Sequence, residues 1–302
     1  MRYATCLWSF WSRATCSARW MACARRRVYN LAAQSFVAAS FEQPVYTGEV
    51  SGLGAVRLLE AVRALGDGVR FYQASTSEMF GNSPQTPQTE QTPFLPASPY
   101  GAAKVYAHWS AVGYRHAHGL HASCGIAFNH ESPLRGMEFV TQKAVRALVR
   151  ISRGEQDHLR LGTLDARRDW GFAGDYVEGM WRMLQQQVPD DYVLATGESH
   201  SVREFVEAAA ECLDLRLEWR GTGVNEVGAD TRSGRVMVRL DSTLFRPSEV
   251  HHLVGDPAKA RAALGWSART NFAGLVGLMV EAELRRRSSE GREGPVGRNR
   301  VG

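Results

Sequence analysis

The chain has 302 residues and a formal net charge of +5, and the positive charge lies at its two ends. Residues 1–27 contain six Arg and no acidic residue, and residues 285–302 contain six Arg and two Glu. The body, residues 28–284, therefore holds 24 basic against 29 acidic residues, a net charge of −5. An acidic body argues against nucleic acid as a partner.

Length and composition exclude further classes. A chain of this length, 44% hydrophobic, forms one large domain or two closely joined ones. No stretch approaches the ~18 consecutive apolar residues that a membrane span needs, so we expect no membrane partner. The five cysteines show neither metal-ligand spacing nor a pairing framework. We therefore expect a cytoplasmic setting and no metal ion.

The two ends differ from the body in composition. Residues 1–27 combine three Trp, three Cys and six Arg and match neither a strand nor an amphipathic helix. A secretory signal or an organelle transit peptide is a weaker interpretation. We expect this segment to lie outside a fold that begins near Val28, and residues 288–302 to form a disordered tail.

The body alternates predicted strands and helices. The strands are expected at 28–31, 69–74, 121–128, 191–195 and 215–219, and the helices at 51–65, 100–117, 139–153, 175–187, 201–212, 256–264 and 270–286, with a loop over 81–99. This alternation predicts an α/β fold with a parallel sheet covered by helices. Ligands bind such sheets at the carboxyl ends of the strands. The polar clusters Ser75–Glu78 and Asn129–Glu131 fall there.

The strongest local signal is the pair Tyr100 and Lys104, which lie four residues apart on one face of a predicted helix. A neighbouring ammonium lowers the pKa of a phenol, so Tyr100 is a candidate base. The chain has only three Lys against 33 Arg, which hints at a chemical need for this ammonium. The alternative is a chance pattern on a solvated helix.

A second signal comes from Thr76 and Glu78, which follow a predicted strand. The loop predicted over 81–99 separates them from Tyr100, at the start of the next helix. Hydroxyl, carboxylate and phenol could reach one crevice, although Ser and Thr also favour plain turns. We interpret Trp109 and Trp181 as core residues. The histidines near 116–121 are interpreted as solvated surface rather than a metal site.

Several motifs together carry a resemblance. The chain closely resembles the GDP-mannose 4,6-dehydratases, which are extended short-chain dehydrogenase/reductases, from about Val28 to Arg285. The matching segments are ASTSEMFG (74–81), SPYGAAK (98–104), FNHESPLRG (128–136), LDARRDWG (164–171), ATGESHSVREFVE (195–207) and FRPSEV (245–250).

The resemblance implies a reaction. The family converts GDP-mannose to GDP-4-keto-6-deoxy-mannose, a step toward GDP-fucose, with NADP as the recycled cofactor. It implies that Tyr100 deprotonates the C4 hydroxyl, that Thr76 hydrogen-bonds the C4 oxygen and that Glu78 removes the C5 proton. Lys104 is expected to bind the cofactor ribose and to acidify Tyr100.

Further binding residues follow from the resemblance alone. The expected cofactor contacts are Leu31, Ala32, Ala33, Gln34, Ser35, Tyr46, Lys104, His130 and Arg135. The expected substrate contacts are Asn129, Arg168 and Arg246, the arginines near the pyrophosphate. An ion pair between Arg168 and Asp169, and a loop role for His130, remain alternatives.

The chain departs from the family pattern at its start. No Gly-rich phosphate loop precedes Val28, so the fold is expected to be a Rossmann-type parallel sheet lacking its first βαβ part. Residues 28–135, with 160–187, would form this partial dinucleotide-binding domain. Residues 136–159 and 188–287 would form a smaller α/β substrate domain. From this we expect the chain to be inactive or poorly folded. The resemblance implies a homo-oligomer, whose interface here would lack the residues of the missing part. Leu134 replaces a basic residue.

Alternatives within and beyond enzymes stay open. An epimerase needs no carboxylate for C5 chemistry, so the presence of Glu78 argues against the epimerase alternative. A dTDP-glucose dehydratase typically carries Asp-Glu where this chain has Ser77-Glu78. The non-enzyme alternative is an inactive remnant.

Overall fold

The computed structural model describes residues 27–66, 68–246 and 248–290. The expectations for residues 1–26 and 291–302 therefore lie outside the described residues. No helix in the described part of the chain is both long and apolar enough to cross a membrane.

The described residues form twelve strands and nine α-helices. The strands are β1 (Arg27–Asn30), β2 (Arg70–Thr76), β3 (His121–Ala127), β4 (Asn129–Glu131), β5 (Leu159–Leu161), β6 (Arg167–Arg168), β7 (Trp170–Phe172), β8 (Asp191–Leu194), β9 (His200–Ser201), β10 (Leu217–Arg220), β11 (Val227–Asp230) and β12 (Val236–Leu240). The α-helices are α1 (Val37–Glu42), α2 (Pro44–Thr47), α3 (Gly54–Ala64), α4 (Pro99–His118), α5 (Val140–Ser152), α6 (Ala173–Met183), α7 (Val202–Glu211), α8 (Ala258–Leu264) and α9 (Phe272–Glu290). A π-helical turn, Gly48–Leu53, joins α2 to α3.

The first sheet confirms the predicted Rossmann-type α/β fold. Its order is β1-β2-β3-β8, and all three pairings are parallel. The central strands β2 and β3 are mostly buried because helices cover the sheet. In this register Thr76, the last residue of β2, lies beside Ala127 at the end of β3. The polar residues that follow β2 therefore lie at the carboxyl edge of the sheet, as expected.

The second sheet was largely missed by sequence reasoning. Its order is β10-β11-β12-β5, with antiparallel pairs up to β12 and a parallel pair between β12 and β5. Only the strand near 215–219 was predicted. Helices α5, α7 and α9 pack with this sheet around a core that includes Leu148, Phe205 and Met279. The predicted capping box of α7 is confirmed, since Ser201 and Glu204 each accept a hydrogen bond from the other's main chain.

Two further pairs of short strands form ladders of their own. Strand β4 pairs with β7 in parallel, and β6 pairs with β9 antiparallel. The carboxylate of Asp169, between β6 and β7, accepts hydrogen bonds from the main chains of Thr196, Gly197 and Gly255 and from the Thr196 hydroxyl. This fully buried carboxylate therefore joins three segments that are far apart in the chain.

Some local expectations were wrong. Trp109 and Trp181 were expected in the core but are 58% and 52% exposed, because each lies on the outer face of its helix. The last helix continues to Glu290, beyond the expected end at 286, into residues assigned to the tail.

Candidate functional site

The carboxyl end of β2 presents Thr76 and Glu78 together. Thr76 is the N-cap of a single 3₁₀ turn, Ser77–Met79, and its Oγ1 accepts a hydrogen bond of 3.3 Å from the Glu78 amide. The turn follows a parallel strand directly, so Glu78 lies at the sheet edge with only 9% of its surface exposed. The cluster is thus both a cap and a pair of candidate functional groups.

Helix α4 brings Tyr100 to the same edge. Ser98 caps the helix by accepting from the Gly101 amide at 3.0 Å, and Pro99 occupies the first turn. Tyr100 is 8% exposed, and its phenol lies beside the Thr76 side chain, which acts on the Tyr100 pKa. A Cβ on Gly101 would lie 2.8 Å from the Glu78 carbonyl oxygen, so glycine there permits this close approach of α4. The structure therefore brings the three predicted groups together.

Lys104 lies one turn further along α4 and is 3% exposed. Its Nζ donates to the Ala74 carbonyl at 2.9 Å and lies 5.8 Å from the centroid of the Tyr100 ring. Burial lowers the pKa of Lys104 to about 8. The Lys104 ammonium thus lies with Thr76, Glu78 and Tyr100, as the sequence predicts.

The expected acidification of Tyr100 by Lys104 is not found. Burial raises the pKa of Tyr100 to about 12, and the charge of Glu78 adds to this rise. The Thr76 hydrogen bond and the charge of Arg135 act in the opposite direction. The physical reason is that removing the phenolate from water outweighs the nearby favourable contacts.

The two predicted substrate arginines meet at a carboxylate. Arg168 Nη2 donates to Glu249 Oε1 at 2.9 Å, and Arg246 Nη1 lies 3.5 Å from the same oxygen. Arg246 Nη1 also lies 4.0 Å from Glu78 Oε1. Arg168 is 6% exposed, and burial lowers its pKa. Arg168 pairs with Glu249 and Asp169 bonds elsewhere, so the alternative of an Arg168–Asp169 ion pair is wrong.

Sequence reasoning missed Glu249. The available signal was its position three residues after Arg246 in FRPSEV. The residue joins the two arginines into one group with Glu78, so the candidate catalytic and substrate residues form a continuous cluster.

Three further predicted residues lie near this cluster. Asn129 and His130 belong to β4, and the His130 ring stacks on Tyr176 while Nδ1 lies 2.8 Å from the Phe128 carbonyl oxygen. Burial lowers the pKa of His130. Arg135 Nε lies 3.2 Å from Glu131 Oε2, and the guanidinium stacks on the Phe139 ring. The charge of Arg135 also lowers the pKa of Tyr100.

The remaining predicted cofactor residues lie after β1. Residues 31–35 form an irregular loop in which Leu31 is 57% exposed, and Tyr46 is half-exposed on α2. The described polar contacts of this loop involve Gln34, which bonds Ser51, Thr47 and the Phe36 carbonyl. These bonds fix the loop against the π-helical turn.

The donor set fits the nicotinamide–ribose end of a dinucleotide. An ammonium has three protons, and the described contacts of Lys104 use one, on Ala74. Lys104 and Tyr100 lie at the carboxyl edge of a parallel sheet, where dinucleotides bind. A ribose could therefore take the remaining donors of Lys104.

A separate buried cluster contains His108, Cys124 and Asp191, whose possible ligand atoms lie within 4.8 Å of one another. Asp191 already pairs with Arg115 at 2.8 Å, and His108 Nδ1 lies 2.9 Å from the Ser75 hydroxyl. Because the carboxylate already has a cationic partner, we interpret this cluster as a structural network.

Of the three histidines near the end of α4, two are exposed and one is partly buried. His116 and His118 are both exposed, as expected, whereas His121 is partly buried and its Nε2 lies 2.9 Å from the Gln186 carbonyl oxygen.

Comparison with known proteins identifies relatives across most of the chain. A family model described as GDP-mannose 4,6 dehydratase matches residues 20–279. The chain is 54% identical to the GDP-mannose 4,6-dehydratase of Sinorhizobium fredii (strain HH103), over 85% of this chain and 74% of that protein. It is 51% identical to GDP-mannose 4,6 dehydratases of Drosophila melanogaster and Homo sapiens, over 85% of this chain and 66% and 70% of theirs. The chain thus spans about two thirds to three quarters of these relatives.

Solved structures support the fold. DesIV, a dTDP-glucose 4,6-dehydratase from Streptomyces venezuelae solved with NAD and TYD, superposes with a TM-score of 0.77 at 21% identity, over 92% of this chain and 78% of that one. RMD from Pseudomonas aeruginosa, solved with NADPH, gives 0.73 at 22% identity, over 86% and 82%.

Proposed function

Because this chain belongs to the GDP-mannose 4,6-dehydratase family, we propose that it converts GDP-α-D-mannose to GDP-4-dehydro-6-deoxy-α-D-mannose with loss of water. The observation that supports this most is the shared cluster of Thr76, Tyr100 and Glu78 beside Arg246. It combines groups for proton transfer with a cation for a phosphate. The fold and the family place the chain among nucleotide-sugar dehydratases.

Tyr100 and Thr76 act first in this proposal. Tyr100 accepts the proton of the C4 hydroxyl, and Thr76, which lies beside Tyr100, hydrogen-bonds the C4 oxygen. The rise in the pKa of Tyr100 that burial causes makes a free phenolate unfavourable at neutral pH. A neutral phenol can take this proton only if it passes its own hydroxyl proton on in the same step, here toward Lys104, whose pKa of about 8 leaves part of it as a free amine. The transfer is therefore expected as C4 is oxidised, when the C4 oxygen becomes more acidic.

Glu78 acts second. A ketone at C4 acidifies the C5 hydrogen, and Glu78 takes that proton and passes it to the departing C6 hydroxyl, which leaves as water. The carboxylate lies at the sheet edge and within reach of Arg246, so it is positioned without being fully desolvated. Elimination is easier beside a ketone than from an alcohol, which explains why oxidation precedes it.

When bound, the nicotinamide would accept a hydride from C4 and return it to C6, while C5 takes up a proton equivalent to the one removed from the C4 hydroxyl. The reaction then loses only water and has no net redox change. Lys104 binds the adjoining ribose with its free donors. His130, Arg135, Tyr46 and the loop of residues 31–35 complete the cofactor side in this proposal. NADP rather than NAD is proposed from the family.

The sugar nucleotide would bind across the cluster. Arg168 and Arg246 bind the diphosphate, for which a planar guanidinium offers paired donors, and Asn129 hydrogen-bonds the substrate. The two arginines are already ordered by Glu249. Residues 28–135 with 160–187 would thus serve the cofactor, and 136–159 with 188–287 the nucleotide sugar. We place the protein in the cytoplasm.

Turnover of GDP-mannose with NADP by the purified chain tests this function. We expect a 4-keto-6-deoxy product, detected by NMR, from GDP-mannose and none from dTDP-glucose. Calorimetry with NADP and with GDP separately measures the two halves of the site. Product from dTDP-glucose alone would assign a different dehydratase.

The remnant alternative predicts a distinct outcome. A folded chain that binds GDP but neither binds NADP nor forms product would be a nucleotide-binding remnant of the family. A folded chain that binds neither ligand would contradict the proposed function altogether.

A further inference from the structure

The segment of residues 249–254, which follows Arg246 and carries Glu249, is bonded along both edges. On one side, Arg167 in β6 donates its amide to the His251 carbonyl at 2.8 Å and accepts from the Leu253 amide at 3.1 Å. Arg168 follows directly in the same strand. This edge therefore fixes the segment relative to one arginine of the pair.

The other edge is bonded by amide side chains from the loop that follows Glu78. Asn82 Nδ2 donates to the Glu249 carbonyl at 3.0 Å, and Asn82 Oδ1 accepts from the His251 amide at 3.0 Å. One side-chain amide thus pairs with the segment as a neighbouring strand would. Further along, Gln88 bonds both the amide and the carbonyl of Val254.

Asn82 itself is rigidly placed. It follows Gly81, which has a φ of +54°, in the left-handed region that favours glycine. A Cβ on this residue would also lie only 1.9 Å from the Leu95 carbonyl oxygen, so the site accepts no larger side chain. The Met79 carbonyl also accepts from the Leu95 amide at 2.9 Å. Because Glu78 begins this short stretch, Asn82 ties the candidate base to the segment that carries Glu249.

We propose that Asn82 is a positioning residue that fixes Glu249, and through it Arg168 and Arg246, at a set distance from Glu78. The inference rests on the proposed function, since it concerns how the diphosphate-binding pair is ordered. Asn82 is exposed and contributes nothing to the described hydrophobic core, so its role is separable from folding. A guanidinium pair that is ordered before binding loses less entropy when the diphosphate arrives.

The experiment compares wild type with N82A, N82D and N225A in the full chain. Asn225 is also exposed but lies in a distant 3₁₀ turn, so N225A is the matched control. We expect N82A to weaken GDP binding, measured by calorimetry, by about tenfold because two hydrogen bonds are lost. KM for GDP-mannose should rise more than kcat falls.

Two additional readouts separate positioning from general destabilisation. Hydrogen–deuterium exchange at residues 249–254 should accelerate in N82A while exchange in β2 and β3 stays at the wild-type rate. N82D retains the acceptor for His251 but loses the donor to Glu249, so it should show a smaller loss of GDP affinity than N82A.

Distinct results would overturn the inference. If N82A binds GDP as wild type does, or if residues 249–254 exchange at the wild-type rate, Asn82 does not position the arginines. If wild type and N225A bind no GDP, the proposed function fails first, and the inference fails with it because there is no ligand site to position.

Discussion

Arg246 Nη1 lies 4.0 Å from Glu78 Oε1, so the guanidinium proposed for the diphosphate also faces the carboxylate proposed as the base. Its second neighbour, Glu249 Oε1, lies at 3.5 Å. A diphosphate that binds Arg246 would compete with both carboxylates for the same donors. The charge around Glu78 therefore depends on whether the nucleotide is bound.

The substitution Glu78→Gln should remove the second half of the reaction. The amide cannot accept the C5 proton, so we expect kcat to fall by about 100- to 10,000-fold. Incubation in D₂O followed by NMR should show no deuterium at C5. E198Q, at a highly exposed glutamate, is the control and should keep wild-type turnover. Wild-type kcat in E78Q would refute the assigned role.

The substitution Tyr100→Phe should stop the reaction before any step at C5. Loss of the phenol removes the acceptor of the C4 proton, so kcat should fall by at least about 100-fold. Because the ring is buried and its shape is kept, the thermal unfolding midpoint should change little. Y106F, at a half-exposed tyrosine of the same helix, serves as the control. Equal losses in both variants would point to helix damage instead.

The substitution Lys104→Met should stabilise the fold at neutral pH while abolishing cofactor binding. The pKa of Lys104 is lowered by burial to about 8 from an ordinary 10.5, so wild-type stability rises as pH increases from 8 to 10.5. At pH 7, K104M should therefore gain about 1–3 kcal/mol in the free energy of unfolding, allowing for the lost bond to Ala74.

Urea unfolding at pH 7 and above pH 10 measures this effect, and the gain of K104M should shrink at the higher pH. K259M, at a partly exposed lysine paired with Asp190, is the matched control and should show no gain. A K104M variant that is less stable than wild type at pH 7 would contradict the prediction.

His108 should make the fold sensitive to acid. Burial lowers the pKa of His108 to about 4, whereas the unfolded imidazole protonates near 6.5. Stability is therefore complete above pH 6.5 and falls as the pH drops from 6.5 to 4, by about 2–3 kcal/mol. In H108Q this slope should disappear, whatever the absolute stability of the variant.

The slope is measured by urea unfolding at several pH values between 7 and 4. H118Q, at an exposed histidine of the same helix, should retain the wild-type slope. An unchanged slope in H108Q would assign the acid sensitivity to other groups.

Local patterns predicted the parts of the site that one strand and one helix determine. Thr76 and Glu78 follow a strand with clear β pattern, and Tyr100 begins a long helix, so their meeting at the sheet edge follows from the parallel topology. The capping box of Ser201 and Glu204 was equally visible, because both of its partners lie within four residues.

Long-range relationships could not be predicted in this way. Strands β11 and β12 are short, and their pairing depends on contacts across the chain. Glu249 gains its role from Arg168, which is 81 residues away. The pKa of Tyr100 depends on burial, which no spacing reveals, and this is why its direction was predicted wrongly.

The buried carboxylate of Asp169 has a consequence for interpreting variants. Its four hydrogen bonds join the segments at Thr196 and Gly255 to the strand that carries Arg168. In a mutational screen scored by GDP affinity, substitutions of Asp169 should therefore weaken binding as substitutions of Arg168 and Arg246 do. Asp169, whose described hydrogen bonds are all to the protein, would then be mistaken for a residue that contacts the nucleotide.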